Sequence, residues 1–164
     1  MIEAFENFYQ ALEDGDIALF YFAGHGARLN APDAFATEHP QNVIESIVCY
    51  DSREADQWDL VDKEISALIN QAIGNRDIHF TVILDCCHSG SGTRFSNERG
   101  VRMTGSGRIP RAWTGFYGAS NYEENGDVVK VLTRPHLLLS ACAKNELSAE
   151  WHIGDNGKWR GYFS

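Results

Sequence analysis

The sequence predicts an α/β fold built on a mostly parallel sheet. Two continuous apolar runs, at residues 17–23 and 80–84, have the length of strands, and each is followed by a turn of small residues. Apolar residues at helical spacing precede the first run and lie between the two. Because strands that alternate with helices form βαβ units, this order indicates parallel strands with helices packed against them.

The first half of the chain reads, in order, as a helix, a strand, a loop, a strand and a helix. The residues assigned to these elements are 2–12, 17–23, 27–42, 43–48 and 61–73. Gly15 and Gly74 follow the two helices, as expected for residues that end them. The run at 17–23 has no polar face, so we expect it to be buried on both faces, as in a parallel sheet.

The second half contains the strand at 80–84, a long loop and a further strand. Residues 89–127 are rich in glycine and arginine and show little periodicity, so we expect a long loop there, of a length that is usually functional or disordered. The run at 136–141 is expected to form another buried strand. The chain opens within a helix and stops where an apolar helix is expected to follow, which suggests a fragment of a longer protein fused to other domains.

Composition excludes several classes of function. The 164 residues suit one domain, and the net charge of −9 argues against binding to nucleic acid, which needs a basic patch. No apolar run approaches the 18 or so residues of a membrane span. Without a signal peptide, a cytoplasmic location and reduced thiols are expected. The cysteines concerned are Cys49, Cys86, Cys87 and Cys142.

A thiol and an imidazole follow the ends of the two apolar runs. His25 lies between two glycines just after the first run, and Cys87 lies just after the second. Because the carboxyl ends of parallel strands meet at one edge of a sheet, these side chains are expected to lie together. We interpret Cys87 as the nucleophile and His25 as its general base. The backbone N–H groups of Gly26 and Cys87 are the expected oxyanion donors.

Two other interpretations of these residues exist. His25 and Cys87 could be ordinary core residues, but their matching positions at two strand ends favour catalysis. A zinc site including Cys86 and His88 is disfavoured, since adjacent cysteines in a strand point apart. The same alternation means that only one of the two cysteines faces the crevice. Cys86 continues the apolar strand and is interpreted as a core residue.

Three short segments resemble the caspase-like peptidases, specifically metacaspases and the bacterial caspase-family proteins. They are residues 21–26 (YFAGHG), 85–90 (DCCHSG) and 137–142 (LLLSAC). The resemblance implies a caspase-like three-layer α/β/α sandwich over a single domain, truncated at both ends. Within residues 1–164 it implies a large-subunit-like part at 1–100, a loop at 101–134 and a small-subunit-like part at 135–164.

The resemblance also implies a function. Cys87 and His25 match the catalytic dyad, and Asp85 matches an acidic residue that lines the specificity pocket of metacaspases. A carboxylate there implies peptide or protein substrates cleaved after arginine or lysine. Ala23 and Ser140 fall at further substrate-binding positions, although the family has serine where this chain has Ala23. Such an enzyme would find cleavage sites in its own loop at 89–127, where a basic loop without processing is the alternative.

No cofactor and no metal are expected. Metacaspases that need calcium carry acidic residues at the counterparts of Ile44, Asp62, Lys63 and Arg94, of which Asp62 alone is acidic here. The leading hypothesis is therefore a metal-independent cysteine endopeptidase. A catalytically silent caspase-like module for interaction or signalling is the main alternative, and hydrolysis of another acyl bond, such as an ester, is a third.

Overall fold

The computed structural model describes residues 1–52, 54, 57–86, 100–101, 111–126, 128–131, 133–141, 149–153 and 158–161. Within these ranges the helices are α1 (Ile2–Tyr9) and α2 (Asp62–Ile73). The strands are β1 (Ile17–Ala23), β2 (His25–Asn30), β3 (Val43–Val48), β4 (Leu60–Val61), β5 (His79–Asp85), β6 (Gly100–Val101), β7 (Glu123–Asn125), β8 (Val128–Lys130), β9 (Leu137–Ser140), β10 (Ala149–Ile153) and β11 (Lys158–Gly161).

The central sheet has the strand order β1-β5-β9, and all its pairings are parallel. β1 lies in register with β5 from Ile17 opposite His79 to Ala23 opposite Asp85. The two strands are joined through α2, which gives the expected crossover between parallel neighbours. The predicted α/β class with a parallel sheet is confirmed.

Both helices cover the same face of this sheet. Phe5 and Tyr9 of α1 pack with the apolar side of α2 against alternate residues of the two long strands. The strand residues in this core are Ala18, Phe22, Phe80, Val82 and Cys86. Their spacing of two residues reflects the pleat, which sends every second side chain to the helices.

The opposite face of the sheet is exposed, contrary to the prediction for residues 17–23. Ile17, Leu19 and Tyr21 remain 79%, 53% and 48% exposed. β9 forms as predicted, but its four residues are exposed, so the expected burial of residues 136–141 is also wrong. A uniformly apolar strand predicts two covered faces, whereas the described helices cover one.

A second sheet, antiparallel, has the order β2-β3-β4. β2 begins at His25 and continues through residues assigned to a loop, so the predicted loop at 27–42 is wrong for 27–30. The polar residues Arg28 and Asn30 alternate with the buried Ala27 and the partly buried Leu29, as in a strand with one solvated face. Arg28 pairs across the strands with Glu45 at 3.5 Å.

Part of the predicted long loop is ordered around a second core. Residues 111–126 contain two short 3-10 helices and lead into the antiparallel hairpin of β7 and β8. Phe116, Tyr122 and Val129 pack there against Phe35 and Ile44. The expectation of a long loop at 89–127 is therefore wrong for residues 111–126, which form short regular elements. Residues 89–99 and 102–110 lie outside the described part. β6 and β11 pair with β10 in a further antiparallel sheet.

Candidate active site

The site lies at the carboxyl ends of the three central strands. Ala23 and Asp85 are register partners at the last position of β1 and β5. The Gly24 N–H donates to the Asp85 carbonyl at 3.3 Å, and the Ala141 N–H donates to the Leu84 carbonyl at 2.9 Å. These bonds continue the parallel ladder beyond the strands. The edge formed there is where parallel sheets commonly bind ligands.

His25 is placed at this edge by a sharp change of direction. β1 ends at Ala23, and β2 begins two residues later at His25, opposite Val48 of β3. A Cβ atom on Gly24 would lie 2.8 Å from the ring of Phe22, which is buried among the helices. Glycine fits this close approach without displacing the ring. The imidazole of His25 is exposed, as a general base must be to reach a substrate.

Of the two adjacent cysteines, Cys86 lies within the described residues and Cys87 does not. Cys86 is fully buried and belongs to the core beneath the helices, which confirms its interpretation as a core residue. Cys87 and His88 lie outside the described residues, so the nucleophile and the second oxyanion donor stay predictions. In the sequence, Cys87 is two residues beyond Asp85, just as His25 is two residues beyond Ala23.

The remaining predicted site residues are split between the two faces of the sheet. Ala23 and Asp85 are register partners, and partners in a parallel pair point to the same side. Ser140 is the partner of Leu84, so its side chain lies on the other side. Ala23 and Ser140 are exposed, Gly26 is buried, and the Asp85 side chain has no exposure at all. A role of Asp85 in substrate recognition therefore requires access to a carboxylate that this structure buries.

Both basic and acidic side chains lie near Asp62. Lys63 Nζ lies 2.5 Å from Glu38 and 5.5 Å from the centre of the Phe35 ring. His39 Nε2 lies 3.8 Å from the Asp62 carboxylate. Burial is the main cause that raises the pKa of Asp62 to about 6. Across the described ranges, no group of three or more histidine, cysteine or acidic side chains could hold a metal ion.

Sequence reasoning overlooked a buried ion pair between Glu64 and Arg111. The Glu64 side chain is completely buried on α2 and accepts hydrogen bonds from Arg111 and from the Tyr117 N–H, the latter at 2.7 Å. One signal was present: Glu64 falls on the apolar stripe of α2, one turn before Leu68. A charged residue on a buried helix face must have a partner elsewhere in the chain.

Comparisons with known proteins agree with this architecture. The family model for the metacaspase, peptidase C14 domain matches residues 1–95. The chain is also 26% identical over 137 residues to a protein named inactive metacaspase-4 from Trypanosoma brucei brucei. That alignment covers 84% of this chain and 34% of the relative, so the chain spans about a third of its length.

One crystal structure of similar fold is that of protein GSU0716 from Geobacter sulfurreducens. It matches with a TM-score of 0.55 and 21% sequence identity, over 99% of this chain and 57% of that chain. At this identity the likeness bears on the fold alone, and it supports the predicted caspase-like α/β architecture. None of the helices in the described ranges is long and apolar enough to cross a membrane.

Proposed function

Because this chain belongs to the metacaspase family of C14 peptidase domains, we propose that it is a cysteine endopeptidase with Cys87 and His25 as its catalytic dyad. The observation that carries the proposal is the register of the central sheet. Ala23 lies opposite Asp85, and each is followed two residues later by one member of the dyad. Neighbouring parallel strands are about 4.8 Å apart, so Ala23 and Asp85, after which the two segments continue, lie side by side at one edge.

The proposed reaction proceeds through an acyl-enzyme. Cys87 attacks the carbonyl carbon of the scissile peptide bond as a thiolate, and His25 holds the thiol proton. The negative charge that develops on the carbonyl oxygen is stabilised by backbone N–H groups, for which Gly26 and Cys87 are the candidates. His25 then protonates the leaving amine, the C–N bond breaks, and water hydrolyses the remaining thioester to regenerate the thiol.

Hydrolysis assays test the dyad directly. Cys87→Ala and His25→Ala are expected to abolish cleavage of fluorogenic peptides, whereas Cys86→Ala should retain most activity. Cys86→Ala is the matched control, because it removes the neighbouring thiol from a buried position on the helix-covered face. Activity that disappears with Cys86 and persists without Cys87, in folded protein, would reverse the assignment.

We propose that the substrates are peptides or proteins cleaved after arginine or lysine. The candidate determinant is the carboxylate of Asp85, since its charge would pair with a basic side chain of the substrate. Asp85→Asn keeps the shape of this buried side chain and removes the charge. A hydrogen bond to a charged group contributes about 1.5–3 kcal/mol, so the preference for arginine should fall by roughly 10- to 150-fold in kcat/KM. Wild-type protein that prefers aspartate would contradict the proposal.

A catalytically silent module for interaction or signalling is the second candidate. Two observations favour it: the relative from Trypanosoma is named an inactive metacaspase, and Ala23 stands where the family has serine. Ala23→Ser distinguishes the two candidates. Measurable hydrolysis in the wild type that rises in Ala23→Ser supports the peptidase. Absence of hydrolysis in both folded proteins supports the silent module.

The proposed peptidase is independent of calcium. Lys63 supplies a fixed ammonium beside Glu38 at 2.5 Å, in the neighbourhood where a divalent ion would otherwise balance the acidic residues. Millimolar calcium is therefore expected to change neither hydrolysis nor the melting temperature. A rise in activity with calcium that a chelator reverses would show that a metal is used.

A further inference from the structure

Glu64 is a buried carboxylate whose oxygens are both engaged. Its side chain has no solvent exposure. One oxygen accepts the Val61 N–H at 3.1 Å, at the start of the helix to which Glu64 belongs. The other accepts the Tyr117 N–H at 2.7 Å and forms the ion pair with Arg111. A buried charge of this kind is tolerated only while its partners stay in place.

Arg111 is surrounded by the segment that follows it in the chain. Its guanidinium donates to the Gly115 carbonyl at 2.8 Å and lies 5.2 Å from the centre of the Phe116 ring. The centre of the Trp58 ring lies 5.9 Å from the same guanidinium. The side chain is 24% exposed. This guanidinium therefore organises the turn at residues 111–116 as well as neutralising Glu64.

Further contacts attach the same segment to the helices. The Tyr117 hydroxyl is hydrogen-bonded to Glu6 of α1 and Gln71 of α2. The Tyr122 hydroxyl donates to the Tyr117 carbonyl at 2.9 Å. A Cβ atom on Gly118 would lie 2.8 Å from the Cβ of Ala67, so the backbone passes directly over α2. We call residues 111–122 the docked segment.

We propose that the Glu64–Arg111 pair is a clamp that holds the chain downstream of residue 110 on the part that ends at residue 86, whether or not the connection between them is intact. Phe116, Tyr122 and Val129 also pack against Phe35 and Ile44, and β9 pairs with β5, but the Glu64–Arg111 pair is the contact whose loss leaves a buried charge unpaired. The clamp would keep the two parts together if the intervening chain is cut.

The clamp also separates Arg111 from the other arginines in this region of the sequence. Arg94, Arg99, Arg102 and Arg108 precede the docked segment. Cleavage after Arg111 would require its side chain to leave Glu64. The buried carboxylate of Glu64 would then carry an unpaired charge, which is strongly unfavourable. Self-processing at these sites rests on the proposed function. The clamp does not, because its contacts are independent of the chemistry at Cys87.

An inserted cleavage site tests the clamp without the protein's own activity. A recognition sequence for a sequence-specific viral protease is placed between Gly105 and Ser106 in a Cys87→Ala chain, and the folded protein is cut. The upstream fragment is captured, and retention of the downstream fragment is measured on dilution. The fragments should stay associated. Arg111→Met should raise their dissociation constant by roughly 100-fold or more, the factor expected when one partner of a buried pair is removed.

Matched variants distinguish a charge clamp from general loss of structure. Glu64→Gln keeps acceptors for the Val61 and Tyr117 amides and should weaken association less than Arg111→Met. The double variant should bind more tightly than Arg111→Met, since it buries no unpaired charge. Arg134→Met is the control, because Arg134 bonds Asn75 in an exposed position at 3.3 Å and should change nothing. If Arg111→Met does not fold uncut, the Glu64→Gln and double variants carry the comparison.

Two results would overturn the clamp. One is an Arg111→Met complex that holds its fragments as tightly as the parent. The other is a parent whose fragments separate while the uncut chain stays folded. Limited digestion with a trypsin-type protease tests the second part of the proposal. The bond after Arg111 should resist cleavage until the protein unfolds, and a fragment that begins at Ala112, released from folded protein, would contradict it.

Discussion

The two faces of the central sheet have similar sequences and opposite environments. On the covered face, Ala18, Phe22 and Phe80 pack beneath α1 and α2 and are at most 9% exposed. On the open face, Leu19 and Tyr21 come from the same strand and remain about half exposed. The difference shows that an apolar run predicts where a strand occurs in the sequence. Which of its residues stabilise the fold depends on which face the helices cover.

The comparison also bears on the chemistry. Alternation along β5 places Phe80, Val82 and Cys86 on the covered face. The side chains of Thr81, Ile83 and Asp85 belong to the other face. The thiol of Cys86 is thereby committed to the core. A reactive cysteine at this strand end must therefore be the next residue, Cys87.

The largest expected effect is on the covered face. Phe80→Ala removes a ring that contacts Phe5 and Tyr9 of α1, with ring centres 6.2 and 4.9 Å apart. Truncation of a buried phenylalanine costs about 3–5 kcal/mol of unfolding free energy. Urea denaturation measures it, with Leu19→Ala on the open face as the matched control. Equal losses for the two variants would mean that the open face is covered in solution.

A smaller effect is expected where the covered face meets the site. Gly24→Ala places a methyl group 2.8 Å from the ring of Phe22, so the ring or the turn must shift. Overpacking of this kind costs about 1–3 kcal/mol. The loss of hydrolytic activity should exceed the loss that the lower stability explains, because the substituted residue directly precedes His25. Full activity in a Gly24→Ala variant would show that the turn does not position His25.

A third effect concerns the start of α2, the helix that covers the sheet. Burial raises the pKa of Asp62 to about 6 from 3.8, so the fold favours the protonated carboxyl. The stability linked to protonation is present below pH 4 and is lost as the pH rises through about 6. The stability of Asp62→Asn relative to the wild type should therefore be higher at pH 7.5 than at pH 4.

The gain should be about 1 kcal/mol or less, since the Asp62 side chain is 39% exposed and solvent screens it. Denaturation midpoints of the wild type and Asp62→Asn at the two pH values measure it. If Asp62→Asn is instead the less stable protein at pH 7.5, the ion pair with His39 outweighs the burial of the carboxylate.

The smallest effect is expected on the open face itself. Leu19→Thr keeps a residue suited to strands and removes apolar surface from a position that is already 53% exposed. Its unfolding free energy should stay within about 0.5 kcal/mol of the wild type. Solubility should improve, because an exposed apolar patch promotes association. A loss comparable to that of Phe80→Ala would place Leu19 in a buried contact.

Patterns within short segments predicted both described helices and the three strands of the central sheet. The continuous run at residues 17–23 and the helical spacing at residues 61–73 located β1 and α2 correctly. Strand alternation, together with the apolar strand that Cys86 continues, correctly predicted that Cys86 lies in the core. These features depend on local periodicity, which a single sequence displays.

Features that depend on distant partners were missed. Residues 27–42 are polar as a whole, yet residues 27–30 belong to β2, which pairs with β3. Residues 111–126 lack periodicity, yet they pack against α2, where Arg111 pairs with Glu64, 47 positions earlier in the chain. The exposure of the open face was missed for the same reason, since the sequence of β1 does not show whether other elements cover that face. Of the candidate site, the sequence located the strand ends and His25, while Cys87 stays a prediction.

Covalent labelling identifies the nucleophilic cysteine. The folded protein is treated with a thiol-directed peptidyl electrophile that carries arginine, and the modified residue is identified by mass spectrometry. A single adduct on Cys87 is predicted, abolished by Cys87→Ala, slowed by His25→Ala and unaffected by Cys86→Ala. An adduct on Cys86, or labelling that survives Cys87→Ala, would contradict the assignment of the nucleophile to Cys87.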